Sequence, residues 1–236
     1  MPGENKYPPK PSSRLLVIGD IHGRYEKLRQ VLSMSGHDPE RDRLILLGDY
    51  VDRGPESCRV VQEVKRLVKA GAVALFGNHE ELMLRALKNR HCGQLAQDAI
   101  EQWYANGGEI TLASYRSQTS LLDEHLEFIA GLPRWHEERD FLFVHAGIRP
   151  GKAPDKQMPQ ELIWIREDFI LGYTGPQDVV IGHTPTQYLK RYGLFHDIDD
   201  ASKPVIRDHK FFLDTGVAWG GPLTIMELHS REFWQA

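Results

Sequence analysis

Three short apolar runs, each closed by a polar corner and followed by a helical stretch, constrain this chain more than any other feature. The runs are LLVIG, LILLG and AVALFG, and their corners open at Asp20, Asp49 and Asn78, each 29 residues after the one before. One strand–helix–strand step takes about 30 residues, so each step returns the chain to the same edge of a parallel sheet. Continuous apolar strands alternating with amphipathic helices mark strands covered on their faces. Right-handed crossovers then set the three corners side by side at the carboxyl ends of the strands, the edge at which open α/β sheets bind ligands. Helices are predicted from about Tyr25 to Met34, from about Glu56 to Lys69, and from the third corner towards Arg90. The units share an architecture; no sequence repeat links them.

The rest of the chain is read around this frame. Residues 1–13 hold four prolines and two lysines and read as a flexible tail, leaving 14–236 as a single domain. Residues 84–139 carry leucines and alanines at helical spacing, with an Asn106-Gly107-Gly108 break, and read as a helical insertion. Strand character returns at FLFVHAG and VVIGHTP. The runs from Phe211 to Asp214 and from Leu223 to Leu228, parted by glycines, read as antiparallel strands. Residues 191–210 are charged and irregular and read as a surface excursion. No apolar run is long enough to span a bilayer and the start resembles no secretory signal. Only Cys58 and Cys92 are present, so a reducing cytoplasm is the expected location.

Five corners of one kind follow apolar strands: Gly19-Asp20-Ile21-His22-Gly23, the stretch from Gly48 to Gly54, Gly77-Asn78-His79-Glu80, His145-Ala146-Gly147 and Gly182-His183-Thr184-Pro185. Four of the eleven histidines lie in them, with three aspartates and an asparagine. One polar residue after a strand is ordinarily a helix cap or turn residue; five corners in register with strand ends form a constellation. Oxygen and imidazole donors without thiolate suit Mn, Fe, Zn or similar divalent ions.

These corners resemble the signature of the calcineurin-like metallophosphoesterases. Asp52-Arg53 within GDYVDRG and Glu80 within GNHE resemble the phosphoprotein phosphatase branch, most closely its short bacterial and lambda-phage-type serine/threonine phosphatases, over about residues 14 to 228. The resemblance implies an α/β sandwich of two mixed β-sheets flanked by helices and a two-metal site. Asp20 and His22 would hold the first ion, Asn78, His145 and His183 the second, and Asp49 would bridge them. Manganese is the expected metal, with iron or zinc open. A hydroxide shared by the ions would attack phosphorus directly, with no phosphoenzyme. Arg53, Arg166 and Asn78 would bind the phosphate, while His79 would protonate the departing oxygen, oriented by Asp52. The implied function is hydrolysis of phosphoserine and phosphothreonine, with phosphotyrosine open.

The sequence also departs from relatives of that family. The wider superfamily often carries GHxH where this chain has Gly182-His183-Thr184-Pro185, which fits both the protein phosphatases and the diadenosine tetraphosphatases. Those tetraphosphatases typically carry GNHD and lack the Asp-Arg pair, so VDRG and GNHE favour a phosphoprotein substrate. A symmetrical diadenosine tetraphosphatase or another small phosphate-ester hydrolase of the same fold is the alternative, and a non-catalytic scaffold a remote one. Phe76 stands where eukaryotic enzymes carry arginine, so no regulatory subunit is implied. Arg24 could add charge near the substrate or simply start a helix. His37, His91, His125, His136, His196, His209 and His229 read as surface or structural, the run from His196 to Asp200 as a solvated loop, and Trp103 and Tyr104 as the core of the insertion. Neither cysteine begins a cysteine-phosphatase loop, and the serine-hydrolase, P-loop and zincin motifs are absent. A net charge of -4 does not suit a general nucleic-acid binder, and no membrane partner is expected. At the site, however, two divalent ions, Arg53 and Arg166 against Asp20 and Asp49 would sum to about +4.

Overall fold

The computed structural model describes residues 14–88, 94–193 and 195–236. The tail expected over residues 1–13, and the end of the third helix near Arg90, lie outside them.

Strands β1 (Leu15–Ile18), β2 (Arg43–Leu46) and β3 (Val73–Ala74) run parallel, joined by helices α1 (Tyr25–Met34) and α2 (Ser57–Lys69). Both helices lie where their apolar spacing puts them: α2 buries Val60, Val61, Val64 and Leu67 while Arg59 and Lys69 stay outside. A second sheet is built on β4 (Trp135–Glu138), β5 (Phe141–Val144), β6 (Asp178–Ile181), β7 (Val205–Arg207) and β8 (Lys210–Phe212). Returning to the first sheet, β9 (Thr224–Glu227) pairs antiparallel with β1, and β10 (Phe233–Gln235) pairs antiparallel with β9. The strand orders are β10-β9-β1-β2-β3 and β4-β5-β6-β8-β7, both mixed.

The two-residue period of the strands divides the core into layers. Leu15, Val17, Ile45 and Leu47 from one sheet meet Phe141, Phe143, Val180 and Phe211 from the other in a layer between the sheets. Their neighbours Leu16, Ile18, Leu44, Leu46, Val144 and Ile181 face outward and pack with Val60, Val64 and Phe169 of the helices. Each such side chain contributes roughly 1.5–3 kcal/mol on burial, so a one-residue slip of β1 would exchange the two layers at once. The architecture is therefore the expected one: two mixed sheets face to face, with helices outside.

Several local expectations change. The run AVALFG contributes only two residues to β3, because Phe76 N turns away to bond Pro133 O at 2.8 Å. The runs 211–214 and 223–228 are not each other's partners: β8 pairs with β6 and β7 in one sheet, β9 with β1 and β10 in the other. Alternation shows that a segment is a strand without saying which layer receives it. The region 84–139 is largely helical, with α3 (Asn78–Lys88), α4 (Gln94–Tyr104), α5 (Gly108–Ser114) and α6 (Leu121–Ala130), but its last part forms β4. Within 191–210, β7 forms an edge hairpin with β8. Two short helices, α7 (Pro159–Trp164) and α8 (Glu167–Gly172), connect β5 to β6. Among the described residues no helix is long and apolar enough to cross a membrane.

Candidate metal centre

The corners after β1, β2, β5 and β6 converge with the first turn of α3. Their backbone is bent to achieve this: His22, Asp49, Asp52, Arg53 and His183 all have left-handed φ, from 45° to 69°. Such a conformation costs a non-glycine residue on the order of 1–3 kcal/mol and persists only where the surroundings enforce it. It turns the side chains inward. Room for them depends on two glycines, since a Cβ on Gly77 would strike the carboxylate of Asp49 and one on Gly182 that of Asp20.

Asp20, His22, Asp49, Asn78, His145 and His183 are brought together, and all are buried. Asp49 addresses two groups at once: its Oδ1 lies 3.3 Å from His145 Nε2 and its Oδ2 lies 3.6 Å from His22 Nε2. Asp20 Oδ2 is 4.0 Å from the same His22 nitrogen, and both Asp20 oxygens accept the backbone N–H of His183 at 3.1 Å. Two sets, His22/Asp49/His79 and Asp49/His145/His183, each present donor atoms within 4.8 Å of one another.

The protonation pattern shows what these sets suit. Burial, with the nearby charge of His79, pushes the His22 pKa down to about 3, and burial also lowers His145 and His183. The imidazoles are thus neutral, as ligands must be. Nδ1–H of His22 donates to Val51 O at 2.9 Å and that of His145 to Leu47 O at 2.8 Å, an assignment made from these partners. Each Nε2 lone pair therefore faces the cluster. That of His145 meets Asn78 Oδ1 at 2.9 Å and Asp49 Oδ1 at 3.3 Å, three acceptors with no proton to share. His183 Nδ1 lies 2.9 Å from the same Asn78 oxygen, while its buried Nε2 has no partner. Burial, then the charges of Asp214 and Asp49, raise Asp20 well above the usual carboxylate range, and burial first among several causes raises Asp214 to about 6. Converging lone pairs and crowded carboxylates are what a divalent cation relieves, so the residues present fit metal binding.

His79, read from the sequence as an acid and not a ligand, stands 3.9 Å from Asp49 Oδ2, close enough to join the first donor set. Its Nδ1 is committed elsewhere, to Asp52 Oδ2 at 2.7 Å. Arg53 reaches in beside them, Nη1 3.3 Å from His22 Nε2, with its Cζ 4.9 Å from the ring centroid of Trp219. Arg166 caps α8 and donates to Thr184 Oγ1 at 3.2 Å, so both arginines border the cluster. Arg24 precedes the first turn of α1.

Other residues of the site escaped the sequence reading. Trp103 Nε1–H donates to Asp52 Oδ1 at 2.9 Å and Oδ2 at 3.1 Å, and the Thr111 hydroxyl donates to Oδ1 at 2.7 Å. Trp103 is core, as expected, yet its indole N–H serves the site. Glu80 does more than distinguish family branches: its carboxylate accepts the backbone N–H groups of Asp49, Tyr50 and Gly77 at 2.8–3.0 Å and ties two corners together. A glutamate three residues after a corner glycine is a capping-box spacing, the signal that could have exposed it. Asp214 follows a strand as the other aspartates do, but lacks a flanking histidine. Of the histidines read as structural, His125 is buried between Tyr115 Oη and Gln62 Oε1; His91 lies outside the described residues.

The sequence profile of the calcineurin-like phosphoesterases matches residues 13–220. The chain is 34% identical over 137 residues to a symmetrical bis(5'-nucleosyl)-tetraphosphatase of Aromatoleum aromaticum, a match that covers 58% of this chain and 45% of that relative's length. It is 26% identical to the asymmetrical bis(5'-nucleosyl)-tetraphosphatase PrpE of Bacillus cereus (strain Q1) over 88% of this chain and 87% of that one. A crystal structure provisionally described as a diadenosine tetraphosphatase superposes with a TM-score of 0.70 at 22% identity, covering 97% of this chain and 95% of the other, a likeness of fold.

Proposed function

The chain belongs to the calcineurin-like phosphoesterase family, and within it we propose a metal-dependent hydrolase of dinucleoside tetraphosphates or closely related small phosphate esters. The observation that carries the hydrolase reading is Asp49, which turns one oxygen to His145 and the other to His22, the disposition of a bridging carboxylate. The substrate class is supported by the relatives, two of them named for bis(5'-nucleosyl)-tetraphosphate cleavage. Residues 14–236 would act as one catalytic domain, because corners from both sheets supply donors.

On this reading Asp20, His22 and Asp49 hold one cation and Asp49, Asn78, His145 and His183 a second. Two divalent ions there, manganese first and iron or zinc as options, would supply Lewis-acid polarisation of the phosphoryl group and a water of lowered pKa. Arg53 offers the phosphate a planar fork and Arg166 a second positive charge. Asn78 adds an amide beside it. His79 in its charged form gives a proton from Nε2 to the departing oxygen, while Asp52 accepts the Nδ1–H bond and fixes the ring.

A second reading, phosphoserine or phosphothreonine hydrolysis, is favoured by that same His79–Asp52 pair. A seryl alkoxide is a poor leaving group and depends strongly on an acid, whereas a nucleoside phosphate leaves more readily and gains less from one. The deciding experiment compares kcat/KM on diadenosine tetraphosphate and on a phosphoserine peptide, with metal content measured and products separated. At least a tenfold preference for the dinucleotide is expected. The reverse preference would move the assignment to the second reading, and no turnover of either by metal-replete protein would sink both.

A further inference from the structure

Trp219 has the largest exposure of any tryptophan in the described chain, 64% of its surface, at the rim of the candidate centre. Large aromatic side chains are normally buried for their apolar area, so one held in solvent beside a polar site calls for a reason. It is not held loosely. Trp219 closes a 3-10 turn, Val217–Trp219, flanked by Gly216 and Gly220 with φ of 84° and 88°. That turn is pinned from beneath: Gly216 N donates to Asp214 Oδ1, Trp219 N and Gly221 N both donate to Gly216 O, and Gln187 Nε2 donates to Thr215 O, each at 2.9 Å. The ring is thus projected by a fixed loop whose root, Asp214, is buried beside Asp20.

Among the described residues, the cation–π partner of the ring is itself part of the site. Arg53 Cζ lies 4.9 Å from the ring centroid, and Arg53 Nη1 lies 3.3 Å from His22 Nε2. One side chain therefore spans the distance from the indole to the candidate ligands. A phosphate held by Arg53 would bring the adjoining part of a substrate within reach of Trp219. Gly107 also lies against Arg53, where an added Cβ would crowd the Arg53 backbone and Cγ.

We propose that Trp219 is a stacking platform for a purine base of the substrate, paired with Arg53 so that one unit reads base and phosphate together. The assignment rests on the dinucleotide reading above and names the residue that would confer it. A purine presents a flat π-face that stacks on an indole regardless of its hydrogen-bonding edge, and a preformed platform loses little freedom on binding.

The test uses full-length, metal-replete protein as wild type, Trp219→Ala and Trp219→Phe, each on diadenosine tetraphosphate and on inorganic tripolyphosphate, which lacks a base. Because Arg53 touches the indole, both substrates should respond to Trp219→Ala. The KM for the dinucleotide should rise by about 10- to 100-fold more than that for tripolyphosphate, and Trp219→Phe should recover most of the difference. A parallel titration reads binding alone: AMP should bind wild type more tightly than ribose 5-phosphate does, and Trp219→Ala should abolish that advantage. Equal KM changes on the two substrates, or an AMP preference that survives Trp219→Ala, would overturn the platform while leaving tetraphosphatase activity intact. If diadenosine tetraphosphate is not turned over yet Trp219 still sets the AMP preference, the substrate reading fails and the platform stands.

Discussion

His79 Nδ1 lies 2.7 Å from Asp52 Oδ2, and both residues are buried. Asp52 itself is held from three sides, by Trp103, by Thr111 and through its backbone N–H by the Thr111 oxygen at 2.8 Å. A histidine pinned in this way keeps one nitrogen for the carboxylate and presents the other to the site.

Replacing His79 by Asn should leave the bound metal stoichiometry unchanged, since its Nδ1 serves Asp52. The rate on an alkyl phosphate should fall about 10²- to 10⁴-fold, and less on an aryl phosphate with an activated leaving group. Metal analysis beside kinetics on both esters checks it; loss of one metal equivalent would instead make His79 a ligand.

Thr111→Val removes a hydroxyl that both donates to and accepts from Asp52. Leaving a buried carboxylate short of one partner costs about 1–3 kcal/mol, which should appear as a lower unfolding free energy. Alkyl-phosphate turnover should also drop by about tenfold or more, because Asp52 no longer holds His79 in one orientation. Thr111→Ser should restore both. A stability loss with unchanged leaving-group dependence would confine Thr111 to a structural role.

Metal-depleted protein should be inactive and regain phosphoesterase activity with manganese, because lone pairs of His145, Asn78 and Asp49 converge without a proton between them. Asp49→Asn should lower the metal content as well as the rate, since it removes charge from both donor sets. Full activity after chelation, with depletion verified by elemental analysis, would contradict the assignment.

His125 makes an acid-side contribution to unfolding. Burial, assisted by the positive Lys65, lowers its pKa below 6.5 in the fold, so as pH falls through 6.5 the unfolded chain binds more protons at this group than the native chain does. Stability from this group is complete above pH 6.5 and lost as pH falls, by up to about 1.4 kcal/mol per pH unit. His125→Gln can still hydrogen-bond but does not titrate, so its unfolding free energy should fall less than that of wild type between pH 7.5 and 5.5. Parallel denaturant titrations at the two values test it; identical slopes would remove His125 as the cause.

Much of the centre was legible because its chemistry is local. Asp20 with His22, Asp49 with Asp52 and Arg53, and Asn78 with His79 are close neighbours in sequence, and each follows an apolar strand whose end is marked by glycine. What the reading missed depends on distant contacts: Trp103 and Thr111 reach Asp52 across 51 and 59 residues, and nothing in the helical spacing of either residue announces a carboxylate partner. Trp219 was likewise invisible, because exposure is not a property of residue type.

The residues themselves determine which donor groups the corners offer, the equal spacing of the first three corners and the two-layer alternation, since these follow from side-chain chemistry and strand and helix periods. Tertiary structure alone decided that the runs at 211–214 and 223–228 enter different sheets, that the helical region reaches back to hold Asp52, and that Trp219 stands beside Arg53. The reason is physical: periodicity dictates which face of an element is apolar, but the partner that covers that face, and the polar groups carried in with it, are settled only when the layers pack.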